Sequence, residues 1–83
     1  MTENAPRIIL YGTTWCGSTT RARRLLESAR IDYEWVDIDR DETAAQYVMS
    51  VANGFRSVPT LVFPDGTIMV EPSSYDLYTK LGI

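Results

Sequence analysis

The run Arg7-Ile-Ile-Leu-Tyr-Gly-Thr-Thr-Trp-Cys16-Gly-Ser-Thr-Thr-Arg-Ala-Arg-Arg-Leu-Leu-Glu-Ser-Ala-Arg30 decides how the chain folds. Its opening, Arg7 to Tyr11, is short, almost continuously apolar and closed by Gly12, as in a central strand covered on both faces. From Cys16 to Arg30, Ala22, Leu25, Leu26 and Ala29 recur at helical spacing. Arg21, Arg23, Arg24, Glu27 and Arg30 fill the other faces, so the segment predicts an amphipathic helix of about four turns. The only cysteine of the chain falls where the strand feeds that helix.

Outward from this unit, Tyr33 to Ile38 is rich in aromatic and branched residues and predicts a second strand. Residues 41–52 carry Ala44, Ala45, Val48, Met49 and Ala52 at helical intervals, with Asp39 or Asp41 to cap the start and Asn53-Gly54 to stop it. Thr60 to Phe63 and Thr67 to Val70 flank Pro64-Asp65-Gly66, a tight reversal, and predict an antiparallel hairpin. Ser73 or Ser74 then caps a short helix expected to turn Tyr75, Leu77, Tyr78 and Leu81 inward before Gly82. The fold class is α/β with the order β-α-β-α-β-β-α. A βαβ crossover imposes parallel pairing and the hairpin antiparallel pairing, giving a four-stranded mixed sheet with helices on both faces.

At 83 residues, a chain buries about 60 to 65% of its unfolded surface, which leaves material for one domain over 1–83, with 1–6 expected to be flexible. With one cysteine there is no internal disulfide, and with no histidine there is neither a Cys-His or Ser-His-Asp nucleophile nor a histidine-containing zinc site. Chemistry is therefore expected at Cys16 or at carboxylates. No apolar run long enough to span a bilayer and no leader pattern is present, so a cytoplasmic protein without membrane partners is expected. Five arginines against two glutamates make residues 1–30 basic, while three basic against nine acidic residues make 31–83 acidic, for a net charge of -3. Phosphate neutralisation needs a broad basic face, so no nucleic-acid partner is expected.

Within Gly12-Thr-Thr-Trp-Cys-Gly-Ser-Thr19, the cysteine sits at a helix N-terminus, where unpaired N–H groups and the positive end of the helix dipole favour a thiolate. Arg21, Arg23 and Arg24, within the following turns, are candidates to lower its pKa further. Position alone leaves two readings open, a reactive thiol and a small buried hydrophobe. Trp35 reads as packing, whereas Trp15 reads equally as packing or as part of a substrate groove. Asp37, Asp39, Asp41 and Glu42 read as a solvated acidic turn, having no calcium-loop spacing. Arg56 is expected to hold a substrate carboxylate.

Trp15-Cys16-Gly17-Ser18-Thr19 together with Arg56-Ser57-Val58-Pro59-Thr60 resembles the glutaredoxin-like proteins of the thioredoxin superfamily over essentially the whole chain, most closely the mycoredoxin-like members. The resemblance implies a thioredoxin-like fold and a cis proline at Pro59 beside Cys16, with the Val58 backbone pairing with an extended substrate. It also implies thiol-disulfide exchange with thiolated protein substrates and a low-molecular-weight thiol, glutathione or mycothiol-like, as co-substrate, by a monomer with no tightly bound cofactor. The site departs from the family pattern in having Thr19 where a second cysteine would stand, and Thr13 and Val70-Glu-Pro-Ser-Ser74 replace the family's lysine and Gly-Gly-x-x-Asp segment. A monothiol mechanism follows, with Thr19 expected to donate a hydrogen bond to the sulfur and Trp15, Arg56, Val58 and Pro59 expected to bind substrate. Two other classes stay open: a dimeric iron-sulfur module using Cys16 plus an external thiol, as in monothiol relatives with a Cys-Gly-Phe-Ser site, and a redox-silent adaptor. A bound cluster normally takes four thiolates, which one cysteine per chain cannot supply unaided.

Overall fold

The computed structural model describes residues 7–83, and the expectation of a flexible segment over 1–6 lies outside them. The elements are β1 (Ile8–Gly12), α1 (Gly17–Ser28), β2 (Tyr33–Asp37), α2 (Glu42–Val51), β3 (Thr60–Val62), β4 (Ile68–Val70) and α3 (Ser74–Leu81). The sheet order is β2-β1-β3-β4, with β1 and β2 parallel and the pairs β1/β3 and β3/β4 antiparallel. β1 is thus an inner strand, as its unbroken apolar run requires.

Alternation along β1 serves two cores. Ile8 and Leu10 face one side, where they meet Ala22 and Leu26 of α1, Leu61 and Phe63 of the hairpin, and Leu77 of α3. Tyr11 faces the other, beside Val36 and the α2 residues Ala44, Ala45 and Val48, with Ile38 completing this second cluster. The alanines and Val48 of α2 thus pack on the face that Tyr11 and Val36 present, since the period-2 geometry of a strand turns successive side chains to opposite faces.

Each helix stops and starts where its local chemistry dictates. The Asp41 carboxylate accepts from Ala44 N–H at 3.1 Å and caps α2, whereas Asp39 is used elsewhere. Gly54, with φ +88°, ends α2 by donating its N–H to the Met49 carbonyl at 2.8 Å. Ser73 caps α3 through a reciprocal box with Asp76. In the hairpin, Gly66 adopts φ +90° and donates to Phe63 O at 2.9 Å. Lys80 reaches back from α3 to Asp65 at 2.6 Å and holds its carboxyl well below the ordinary range.

One packing expectation is corrected. Leu77 is buried and Leu81 packs against the core, but Tyr75 is 76% and Tyr78 47% exposed. On a helix of 8 residues packed along a single stripe, Leu77 and Leu81 share that stripe four residues apart. Tyr78 lies about 100° and Tyr75 about 200° around the helix from Leu77, so both face away.

Leu10 and Leu61 are cross-strand partners at 0% exposure within the main core. Leu61→Ala is expected to cost about 2 to 5 kcal/mol, a large share of the stability of so small a protein. Equilibrium urea unfolding of the two proteins checks this through the shift in midpoint.

Candidate active site

The loop leaving β1 carries Trp15 and delivers Cys16 as the N-cap residue of α1, in extended backbone conformation with φ -85° and ψ 121°. At an N-cap, the side chain faces the free N–H groups of the second and third helical residues, which here are Ser18 and Thr19. No side-chain cap bond is made by the half-buried thiol, and α1 has no acidic residue in its first turn. The start of the helix is therefore left for a negative charge at sulfur.

Burial is the largest single influence on the Cys16 thiol and pushes its pKa up, but other contacts outweigh it. The Thr19 N–H, the Thr19 hydroxyl and the Ser18 N–H all favour the thiolate, and the thiol is left below its ordinary value. Glu71 opposes them weakly with its negative charge. Hydrogen bonds to the charged form stabilise it in the way that a carboxylate is stabilised by backbone amides.

The arginines do not act as the sequence suggested. Arg23 donates through Nε to the Tyr33 hydroxyl at 3.1 Å, and its guanidinium stacks on Trp35 at 4.0 Å from the ring centroid. Tyr33 in turn donates to Glu27. Arg21 and Arg24 line a groove between α1 and α3. The lowered thiol pKa comes from amides and a hydroxyl, because an arginine needs both proximity and free direction to help, and Arg23 is committed to β2.

Thr19 is 1% exposed, and in the resting thiol form its Oγ1 has no hydrogen-bond partner of ordinary geometry. Cys16 is the N-cap and Thr19 the third residue of α1, which lie on the same side of the first turn, and the Thr19 hydroxyl favours the charged form of the thiol. A buried hydroxyl without a partner costs free energy, and a thiolate is the acceptor that would satisfy it.

Across from the cysteine, the Val58–Pro59 peptide bond is cis, and the Val58 carbonyl oxygen lies 3.9 Å from Cys16 Sγ, a long and weak sulfur contact. Pro59 is buried and Val58 half-buried. The Pro59 carbonyl accepts from Glu71 N–H at 2.8 Å, which draws the segment after β4 to the same place.

Asp39, read from sequence as part of an acidic turn and as an alternative cap for α2, instead joins Trp15 to Arg56. Its Oδ2 accepts from the indole Nε1 of Trp15 at 2.7 Å, and its Oδ1 pairs with Arg56 Nη2 at 3.3 Å. The same Nη2 lies 3.4 Å from the Ile38 carbonyl. β1 and β2 run parallel, so the loops after both strands emerge at one edge of the sheet, where α/β folds commonly build their sites. That was the available signal for Asp39. Glu71 gave no local signal, since its place depends on how β4 pairs with β3. The other acidic residues go to structure: Asp37 accepts from Asp39 N–H and Asp41 caps α2. Among the described residues, no three His, Cys, Asp or Glu side chains gather into a metal-binding group.

A sheet of this order, with a thiol at the first strand-to-helix junction and a cis proline opposite it, defines a thioredoxin-like protein. The Glutaredoxin family model matches residues 8–68. A Mycobacterium tuberculosis protein that carries a glutaredoxin name is 40% identical over 74 residues, which are 89% of this chain and 88% of that protein. Mycoredoxin 1 of Corynebacterium glutamicum is 32% identical over 74 residues, covering 89% and 91% of the two chains. Among solved structures, the glutaredoxin-like NrdH-redoxin of Escherichia coli superposes with TM-score 0.73 at 27% identity, covering 90% of this chain and 93% of its own. The chain belongs to the glutaredoxin family and is a mycoredoxin-like thiol oxidoreductase.

The amides and hydroxyl at Cys16 have a measurable consequence. The rate of Cys16 alkylation should rise with a midpoint below that of a free thiol, and Glu71→Gln should move it further down by removing the opposing charge. A lowered acid pKa stabilises the fold above the unfolded value and loses that stabilisation as pH falls through the folded value. The stability advantage of wild type over Cys16→Ala should accordingly grow as pH rises toward the ordinary thiol value of 9.0. Iodoacetamide kinetics against pH, with thermal unfolding at the same pH values, checks both.

Proposed function

We propose that the protein reduces mixed disulfides between proteins and a low-molecular-weight thiol, glutathione or mycothiol-like, by a monothiol mechanism at Cys16. The observation carrying this reading is the single half-buried thiol held toward its charged form by the Ser18 and Thr19 amides and the Thr19 hydroxyl. The Cys16 thiolate attacks the sulfur of the small thiol in the mixed disulfide. A new disulfide forms between Cys16 and the small thiol, and the protein leaves as its thiolate. A second small thiolate then attacks that sulfur, releasing the symmetrical small-molecule disulfide and restoring the Cys16 thiolate. The same low pKa that supplies the nucleophile makes Cys16 a good leaving group in the second step.

Binding falls to the rim. The Val58 backbone, beside Pro59, takes the extended substrate by main-chain pairing, and Trp15, 74% exposed, covers the small thiol. Arg56 is tied by Asp39 through one nitrogen only, so its remaining N–H donors stay available for a carboxylate. A carboxylate there competes with Asp39. A [2Fe-2S] cluster would have to draw its further ligands from a second chain and from outside thiols, since this chain supplies one thiolate and no imidazole.

Two outcomes are expected. Against a mixed disulfide whose small thiol bears a carboxylate, Arg56→Ala should raise KM about fivefold, the value of one charged hydrogen bond at a half-exposed position. Asp39→Asn, which still accepts from Trp15 but frees Arg56, should lower KM. Steady-state kinetics on one thiolated peptide reads both, and unchanged values would remove Arg56 from the binding site.

The second outcome concerns Thr19. With no resolving sulfur, wild type should cleave mixed disulfides readily and reduce a protein disulfide such as that of insulin poorly. Thr19→Cys should gain the second activity, because an internal thiol acts at a high effective concentration. Equal insulin reduction by the two proteins would contradict the monothiol mechanism.

A further inference from the structure

Gly12 ends β1 without a left-handed backbone, so conformational freedom does not explain a glycine there. Space does. A Cβ added at Gly12 would stand 2.4 Å from Thr19 Cγ2, 2.8 Å from Thr19 Oγ1 and 3.1 Å from Cζ3 of Trp35. Both branches of the Thr19 side chain occupy the room that a side chain at residue 12 would take. Thr19 is stiff at χ1, being β-branched, and at 1% exposure it has nowhere to retreat. Its Oγ1, with no partner in the resting form, is one of the groups that favour the Cys16 thiolate.

We infer that Gly12 is a positioning residue for the Cys16 thiolate: the missing Cβ is the seat that holds the Thr19 hydroxyl beside the sulfur. The end of β1 thereby sets the reactivity of a residue four positions further along the chain, across the strand-to-helix loop. Gly12 itself touches neither sulfur nor substrate and acts only through Thr19. The inference rests on the reading of Cys16 as the reacting nucleophile, but alkylation reads the thiolate without any turnover. A protein that fails to reduce mixed disulfides would sink the proposed function and leave this test intact.

The test measures iodoacetamide alkylation of Cys16 against pH in wild type, Gly12→Ala, Thr19→Val, the double variant Gly12→Ala with Thr19→Val, and Gly12→Ala with Thr19→Ser. Gly12→Ala should move the pH profile upward and slow alkylation at neutral pH about two- to tenfold, the range of one hydrogen bond. Thr19→Val, which keeps the shape and removes the hydroxyl, should do the same. On the Thr19→Val background, Gly12→Ala should add little, because the group it displaces is already gone. Thr19→Ser removes the methyl nearest the added Cβ, so it should restore the Gly12→Ala profile part of the way. Should Gly12→Ala alone fail to fold, the pair Gly12→Ala with Thr19→Ser against Thr19→Ser carries the comparison, since the 2.8 Å contact to oxygen remains. A profile unchanged by the alanine in a folded protein would overturn the inference. So would a shift of full size on the Thr19→Val background, which would show an effect that does not pass through the hydroxyl.

Discussion

The free N–H groups at the start of α1, turned toward the sulfur of Cys16, are the contact on which the rest of this molecule depends. Burial works against a thiolate there, and only the Ser18 and Thr19 amides with the Thr19 hydroxyl reverse its effect. For those amides to be in place, α1 must begin directly after Cys16 and lie on the end of β1. Ala22 and Leu26 anchor the helix against Ile8 and Leu10, and Thr19 closes onto Gly12. Packing on one face of the sheet is thus converted into electrostatics at its edge.

A second level of organisation surrounds the sulfur. Three segments far apart in sequence meet there: the loop after β1, the loop after β2 and the cis-proline segment before β3. Asp39 bonds to members of the first and third, Trp15 and Arg56, through its two oxygens. With side chains 45% and 41% exposed, the Arg56–Asp39 pair contributes little to stability. Its effect is orientation: through Asp39 it links the Arg56 guanidinium to the Trp15 indole, the residue next to Cys16. Glu71, brought in by the pairing of β4 with β3, keeps the rim from being uniformly favourable to anions.

Most of the fold was legible because its signals are local. The apolar run of β1, the helical spacing in α1 and α2, and the Pro64-Asp65-Gly66 reversal each read correctly from neighbouring residues alone. So did the position of Cys16 at a helix start. Tyr75 and Tyr78 misled because a three-residue apolar period cannot say how wide a stripe a short helix buries. The arginines of α1 misled because a sequence gives distance along the chain but not direction, and Arg23 turns to Tyr33 and Trp35. Asp39, Glu71 and the reason for Gly12 were beyond local reading, since each depends on a contact made through the sheet. Val58 and Pro59 were placed beside Cys16 by resemblance, and the cis bond and the 3.9 Å sulfur contact agree with that placement.

The proposed monothiol mechanism requires Cys16 to take the small thiol onto itself while the protein substrate leaves. Mass spectrometry of the intact protein, quenched with acid after one turnover against a peptide disulfide-bonded to a small thiol, reads this directly. A gain equal to the small thiol on Cys16, with free peptide thiol released in equal amount, is the result expected. A gain equal to the peptide, or an unmodified Cys16 beside an intact substrate, would contradict it.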